Sequence, residues 1–323
     1  MIECFKTDAE GTKEIDNPEP GCWVNVVTPT EDERDWLRDE VGIVPEFVTA
    51  ALDDEERSRV DFDEDTNQRL IIVDCPVPVV EEDDAASEGE PSEVVHYETY
   101  PLTFLFLPEA DMIVTVSVTD NEALELYSGP RLQRINTNQR TRLFLLMLNY
   151  ISQRYQVYLR DINRQFTHIE RRLRRSMHNK GLMQMLGFQN SLVYFSVSLQ
   201  GDDAVLTRIQ KGHIIRLYEE DSELLEDVAI EFRQAIEMCT IYTQILEGSM
   251  DTFSNVINNN VNLVIRRLTV IMLLMAVPTL VFAFYGMNVG VLPGDFSFWV
   301  PLLIAIVGCV VTGVAVSTAR KLR

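Results

Sequence analysis

Acidic side chains at helical spacing form the first pattern in the sequence that could do chemistry. Four of them follow one another at intervals of four residues, which places them on one face of a helix: Glu219, Glu223, Asp227 and Glu231. Like charges at this spacing cost a helix roughly 0.2–0.5 kcal/mol per pair, so the stripe favours a compensating cation. A hard divalent metal bound by carboxylate oxygens is one candidate. Arginines of a neighbouring helix, or simple solvation of the face, are the alternatives.

Neutral polar residues form a second pattern nearer the C-terminus. Five asparagines occur between residues 255 and 262, ending at Asn262, although asparagine is a poor helix former. Amides lining an aqueous pore would explain them, and polar filler near a membrane surface is the alternative. Thr279 is the only Ser or Thr hydroxyl in the outer half of the apolar run that follows. It either faces a pore or bonds back to its own helix.

Motifs for catalysis or for a resident cofactor are not found. The five cysteines form no CxxC pair, the four histidines are scattered, and no P-loop occurs. Residues 1–120 carry 33 acidic and 7 basic side chains, a balance that repels phosphate backbones and excludes general nucleic-acid binding. The sequence therefore predicts a protein that is not an enzyme and that meets cations or basic partners.

The C-terminal composition predicts two membrane spans. Residues 268–319 contain no Lys or Arg, and their single acid is Asp295. The apolar runs 268–285 and 298–319, of 18 and 22 residues, are each long enough to cross a hydrocarbon core of ~30 Å. The N-terminus lacks the features of a signal peptide. A basic collar flanks the spans and is absent from the short loop 286–297 between them: Arg266, Arg267, Arg320, Lys321 and Arg323.

The collar predicts the orientation, because basic residues stay on the cytoplasmic side of a membrane. Both termini are then cytoplasmic, and loop 286–297 is external.

The sequence of residues 1–130 predicts an acidic α/β domain. Its predicted strands are Cys22–Val27, Arg69–Val73, Val94–Leu107 and Met112–Val118. Its predicted helices are Thr30–Glu40 and Pro45–Asp54, and Glu81–Glu93 is predicted to be an acidic loop.

Residues 131–211 predict cytosolic helices, at Asn138–Met177 and Leu182–Gln200. The second half of the first is rich in arginine, which favours internal pairing with the acids. Residues 212–267 predict a stalk helix that continues into the first span, about 70 residues and ~105 Å in all. A helix of that length needs partner helices, which suggests a symmetric oligomer.

The segment Tyr285–Gly286–Met287–Asn288 ends the first span, and together with the long stalk and the two terminal spans it resembles the CorA family of magnesium channels. The resemblance implies a homopentamer in which the first span of each subunit lines the pore. It also implies that Tyr285–Asn288 form the selectivity filter and that Asn288 receives the hydrated ion. An ungapped alignment through this motif places the cytosolic polar ring of the family on Asn262 and its mid-pore threonine on Thr279.

The same alignment places the stalk aspartate of the family's regulatory metal site on Asp227, with Glu223 and Glu231 as weaker candidates. Mg²⁺ is thus implied as substrate and as regulatory ligand, with no other cofactor. Loop 286–297 departs from many CorA loops because it carries one acid, and its Gly and Pro content also resembles the zinc-transporting ZntB branch.

The expected fold is an α+β membrane protein with an N-terminal α/β cytosolic domain, a long stalk helix continuous with the first transmembrane helix, and a second, C-terminal transmembrane helix (298–319) before the basic tail 320–323. The expected function is uptake of Mg²⁺, with Co²⁺ or Ni²⁺ as further substrates, through a pore in the cell membrane that intracellular Mg²⁺ closes. The expected partners are further copies of the chain and membrane lipid, with no nucleic acid. A ZntB-like Zn²⁺ transporter, with or without proton coupling, and a membrane-anchored scaffold or receptor are the alternatives.

Overall fold

A mixed β-sheet and six α-helices, the sixth of which extends into the C-terminal part, organise the N-terminal part of the chain. Two long apolar helical segments organise the C-terminal part. The computed structural model describes residues 1–82, 93–175, 179–212, 214–287 and 299–321. It divides into an N-terminal unit, Met1–Gly248, and a C-terminal unit, Ser249–Arg323. The α+β class predicted from the sequence is confirmed.

Seven strands form one sheet in the N-terminal unit, in the order β2-β1-β3-β7-β6-β5-β4. Their bounds are β1 Ile2–Asp8, β2 Gly11–Ile15, β3 Cys22–Val27, β4 Arg59–Phe62, β5 Arg69–Glu82, β6 Glu93–Leu107 and β7 Met112–Ser117. Strands β3 and β7 pair in parallel and the other neighbours are antiparallel. The central strands are buried on both faces, and therefore their sequences are almost continuously apolar.

Short helices cover one face of the sheet. They are α1 Glu31–Asp39 and α2 Pro45–Ala51. Thr30 caps α1 in a capping box with Glu33, as its sequence pattern predicts. Leu37 and Phe47 from these helices pack against inward-facing residues such as Val24 in a single apolar cluster.

Long helices cover the opposite face. They are α4 Arg140–Arg175 and α5 Asn179–Gly212, which follow a short helix α3, Glu122–Ser128. Helix α6, Glu219–Tyr285, packs through its first part against α4 and α5. Aromatic contacts join the layers: Phe104 of β6 meets Phe144 of α4 edge-on, with 4.8 Å between ring centroids. Tyr155 of α4 contacts Phe195 of α5 at 5.1 Å and Phe232 of α6 at 6.3 Å. The sheet thus lies between two helical layers.

The C-terminal unit contains the rest of α6 and a final helix, α7 Trp299–Lys321. Among the described residues, α6 and α7 are the two helices long and apolar enough to cross a membrane. Helix α7 approaches α6 closely at two neighbouring positions. A Cβ on Gly308 would lie 2.6 Å from Cγ1 of Val277, and the Cys309 thiol lies 3.5 Å from the Leu274 carbonyl oxygen.

Several element boundaries differ from the sequence predictions. The second cytosolic helix does not end near Gly201 but continues to Gly212, so the stalk helix begins at Glu219 and not at residue 212. Strand β5 runs beyond Val73 to Glu82, and β6 begins at Glu93, so the ends of the predicted acidic loop are strand. Residues 83–92 of that loop lie outside the described residues. Strands β1, β2 and β4 and helix α3 were not predicted.

Candidate ion pathway and regulatory metal site

The predicted filter segment begins where helix α6 ends. Tyr285 is the last helical residue, and the next two backbone N–H groups still bond back to the final turn: Gly286 N to Phe282 O at 2.9 Å and Met287 N to Phe284 O at 3.4 Å. A Cβ on Gly286 would lie 3.1 Å from the Phe282 carbonyl, so glycine permits this close turn. Asn288 and the remainder of the predicted external loop lie outside the described residues.

Thr279 lies on the face of α6 that points away from α7. It is two positions from Val277 and two from Val281, about 200° around the helix from each, and both valines are less exposed than Thr279. Its hydroxyl donates to the Met275 carbonyl at 2.8 Å. The two sequence interpretations of Thr279 are therefore compatible, because the side chain bonds back to its own helix and still presents its oxygen outward.

Asn262 and the first two residues of the basic collar lie on exposed positions of α6. Asn262, Arg266 and Arg267 are all exposed within the chain. Arg320 and Lys321 fall in the last turn of α7, and Arg323 lies outside the described residues. The amide of Asn262 and the guanidinium groups that follow it are available for contact with ions, lipid or further copies of the chain.

The acidic stripe on α6 is divided between free and bound carboxylates. Glu223 and Asp227 are exposed, whereas the carboxylate of Glu231 accepts a hydrogen bond from Nε2 of Gln156 on α4. Gln156 also donates to the Glu231 carbonyl at 3.2 Å and accepts from Arg160 at 3.0 Å. Gln156 therefore links Arg160 of the arginine-rich helix α4 to Glu231 of the acidic stripe.

No group of three or more His, Cys, Asp or Glu side chains within the described ranges is arranged to hold a metal ion. Among the described residues of one chain, Asp227 has the exposed carboxylate of Glu223 one turn before it, and the carboxylate of Glu231 one turn after it is bonded to Gln156. A regulatory ion at Asp227 would therefore need oxygen ligands from water or from another copy, which is how Mg²⁺ is usually bound, with several waters retained.

A pair of carboxyl groups that sequence reasoning missed, one fully buried and one partly buried, joins the sheet to α5. Asp202 is fully buried, and its Oδ1 accepts from Ser58 Oγ at 2.8 Å and from the Asp74 backbone N–H at 2.9 Å. Oδ2 has no hydrogen-bond partner among the described residues. Burial, and then the nearby Asp74 carboxylate, raise the pKa of Asp202 well above its usual range, and burial also raises the pKa of Asp74. The two aspartates lie 128 residues apart in sequence, so no local pattern could have revealed the pair.

Family comparison decides the function class of the chain. A family model described as CorA-like Mg²⁺ transporter protein matches residues 19–319. The chain belongs to the CorA family. The family is one of transport proteins, so divalent-cation transport is the function class here.

One curated relative and two solved structures are similar to most of the chain. The cobalt/magnesium transport protein CorA of Methanocaldococcus jannaschii is 24% identical over 302 residues, which cover 88% of this chain and 86% of that protein. The complete CorA structure from M. jannaschii superposes with a TM-score of 0.77 at 21% identity, covering 98% of this chain and 96% of that one. The ZntB cytoplasmic domain from Vibrio parahaemolyticus superposes with a TM-score of 0.57 at 12% identity, covering 81% of this chain and 98% of that one. At such identities the two structures establish a shared fold.

Proposed function

We propose that the chain forms a homopentameric channel that carries Mg²⁺ into the cell, with Co²⁺ as a second substrate. Its N- and C-termini are cytoplasmic, α6 lines the pore, and α7 packs outside it against lipid. The cobalt/magnesium transport activity named for the M. jannaschii relative supports this substrate class. The inside-negative membrane potential supplies the driving force, ~2.3 kcal/mol per charge per 100 mV and about twice that for a divalent ion.

The observation that carries the proposal is the hydrogen-bond polarity of Thr279. The Thr279 hydroxyl donates its hydrogen bond to the Met275 carbonyl, so its oxygen, which faces away from α7, can only accept further hydrogen bonds. The first-shell waters of Mg²⁺ point their protons outward, and Mg²⁺ gives up those waters reluctantly. A ring of acceptors therefore suits a hydrated cation, and the neutral amides of Asn262 and Asn288 extend the same chemistry to both ends of the pathway.

The cytosolic face of the proposed channel senses intracellular Mg²⁺ through Asp227. The exposed carboxylates of Asp227 and Glu223 repel each other one helical turn apart, and an ion bound between subunits removes that repulsion. Occupied sites favour the closed arrangement, and loss of Mg²⁺ favours the open one. Glu231 takes less part, because its carboxylate is bonded to Gln156.

Ion flux into proteoliposomes tests the proposal. Mg²⁺, Co²⁺ and Zn²⁺ are compared with and without a pH gradient, at an inside-negative potential. The expected result is Mg²⁺ and Co²⁺ uptake that is independent of the pH gradient and is abolished in Asn288→Ala. Proton-dependent Zn²⁺ uptake without Mg²⁺ uptake would overturn the proposal in favour of a ZntB-like transporter. Normal Mg²⁺ uptake in Asn288→Ala would remove the filter role from that residue.

Matched variants separate the pore from the sensor. Thr279→Val removes the acceptor and is expected to lower Mg²⁺ flux, whereas Thr318→Val removes a hydroxyl with the same kind of back-bond on α7, to Val314, and is expected to be neutral. Asp227→Ala is expected to weaken inhibition by internal Mg²⁺, whereas Glu226→Ala, an exposed acid beside it, is not. Unchanged inhibition in Asp227→Ala would refute the sensor.

A further inference from the structure

Proline 278 interrupts the hydrogen bonding of α6 inside the first apolar segment. It is an internal residue of the helix, and it has no N–H to donate to the carbonyl four residues earlier, that of Leu274. A peptide carbonyl without a donor in an apolar environment costs free energy unless another group bonds to it. The Leu274 carbonyl oxygen therefore needs a hydrogen-bond donor from outside the regular pattern of its own helix.

The thiol of Cys309 on α7 reaches that carbonyl. Its Sγ lies 3.5 Å from Leu274 O, within hydrogen-bonding distance for sulfur. A thiol is a weak donor, yet in an apolar setting it is the polar group at this contact that can compensate for the missing N–H. The contact joins the two helices at the turn that contains Pro278.

Glycine at position 308 permits the approach. A Cβ there would lie 2.6 Å from Cγ1 of Val277, closer than real side chains come. Val277 is β-branched, so its side chain has few rotamers with which to move away. Ala305, Gly308, Cys309 and Thr312 follow one another at helical spacing, and they give α7 a face of small residues, which is how membrane helices come close together.

We propose that Cys309 is a positioning residue for the proline segment of α6: its thiol donates to the Leu274 carbonyl that Pro278 leaves without a helical donor, and this bond holds the segment against α7. Thr279, the next residue after Pro278, lies on the opposite face. The bond therefore fixes the rotation and position of the turn that presents Thr279 to the proposed pathway. The positioning role of Cys309 rests on the proposed function, whereas its hydrogen bond to Leu274 does not.

A double-mutant cycle in the purified full-length protein tests the bond without any transport measurement. Cys309→Ala removes the donor, and Pro278→Ala restores an N–H for Leu274 O. Cys309→Ala is expected to lower the midpoint of thermal unfolding in detergent by at least ~2 °C in the wild-type background, and by clearly less in the Pro278→Ala background. Cys309→Ser, which keeps a donor of similar size, is expected to restore the midpoint. Equal effects of Cys309→Ala in both backgrounds would overturn the proposal.

Cys239 offers a matched control in the same protein. Its thiol lies 3.3 Å from the Leu192 carbonyl, where the residue four positions later is a serine with its N–H intact. Cys239→Ala is therefore expected to show no coupling to Pro278→Ala. Coupling of the same size for both cysteines would mean that Pro278→Ala changes stability globally, and it would also overturn the assignment.

Transport then tests the positioning role. Cys309→Ala is expected to lower Mg²⁺ flux at least two-fold at equal protein density, with Cys309→Ser close to wild type, and to have no such effect when Pro278→Ala is present. If Cys309→Ala and Cys309→Ser carried Mg²⁺ equally well, the positioning role would be wrong even with the bond intact. If wild-type protein carried no Mg²⁺ while the thermal coupling persisted, the proposed function would fail and the interhelical bond would stand.

Discussion

The buried carboxyl of Asp202 makes the stability of the N-terminal unit depend on pH in a direction that can be measured. Its folded-state pKa is raised by burial and by Asp74, so folding favours the protonated form. The stabilising contribution of that proton is fully present below the unfolded pKa, about 3.9. This contribution is lost as the pH rises towards the raised pKa of the folded state. The free energy of unfolding then falls by about 1.4 kcal/mol per pH unit for one group.

Asp202→Asn removes this dependence while it keeps the two hydrogen bonds that Oδ1 accepts from Ser58 and from the Asp74 N–H. The asparagine NH₂ group takes the place of Oδ2 and does not ionise. We therefore expect the variant to gain stability relative to wild type as the pH rises from 5 to 8. The other titratable groups around Asp202 are Asp74, Cys75 and Tyr155, and they remain in both proteins.

Thermal unfolding of the full chain in detergent, followed from pH 5 to pH 8 in the presence of a chelator, measures the effect. The difference in unfolding midpoint between Asp202→Asn and wild type is expected to grow with pH. Asp203→Asn, at the neighbouring and partly exposed position, serves as the control and is expected to follow wild type. A pH-independent difference for Asp202→Asn would show that Asp202 does not gain a proton on folding, and the argument would fail.

Three further substitutions test contacts on which the fold and the helix pairing depend. Gly308→Ala is expected to separate α7 from Val277 and to lower both the unfolding midpoint and Mg²⁺ flux, as measured in detergent and in proteoliposomes. Tyr155→Phe removes the hydrogen bond from the buried hydroxyl to the Asp74 carbonyl, 3.0 Å long, and is expected to cost about 1–3 kcal/mol in denaturant unfolding. Asn121→Ala removes the side chain that caps α3 through two backbone N–H groups, and is expected to cost about 1 kcal/mol by the same measurement.

The sequence was a good guide to strands and helices that are apolar throughout or regularly amphipathic. Strands β3 and β7 were predicted because central strands are covered on both faces. The strands β1, β2 and β4 were missed because they lie at or near the sheet edges, where polar residues such as Lys13 and Asp61 interrupt the pattern. Edge strands are stabilised by their neighbours more than by their own composition.

The predicted end of α5 near Gly201 is wrong, because this glycine does not terminate the helix. Gly201 lies in mid-helix, and a Cβ there would approach the Ser58 side chain to 3.0 Å. Its role is close packing between α5 and the segment before β4, next to the Ser58–Asp202 hydrogen bond. A single sequence cannot distinguish this use of glycine from a helix end, since the deciding contact is with a residue 143 positions away.

For Thr279, a residue of the proposed pathway, sequence reasoning left two interpretations. The structure shows the back-bond to Met275, and the pore-facing role stays a prediction. If both apply, they explain why a neutral residue suits a doubly charged ion. A carboxylate at this position would hold Mg²⁺ strongly and slow its release, whereas a hydroxyl contributes only a dipole. Because the hydroxyl of Thr279 already donates to the Met275 carbonyl, it offers only oxygen lone pairs to other groups. These can accept hydrogen bonds from the waters around a cation, but the hydroxyl has no hydrogen left to donate to the hydration shell of an anion. Selection by charge sign can therefore arise from a backbone carbonyl that orients a neutral side chain.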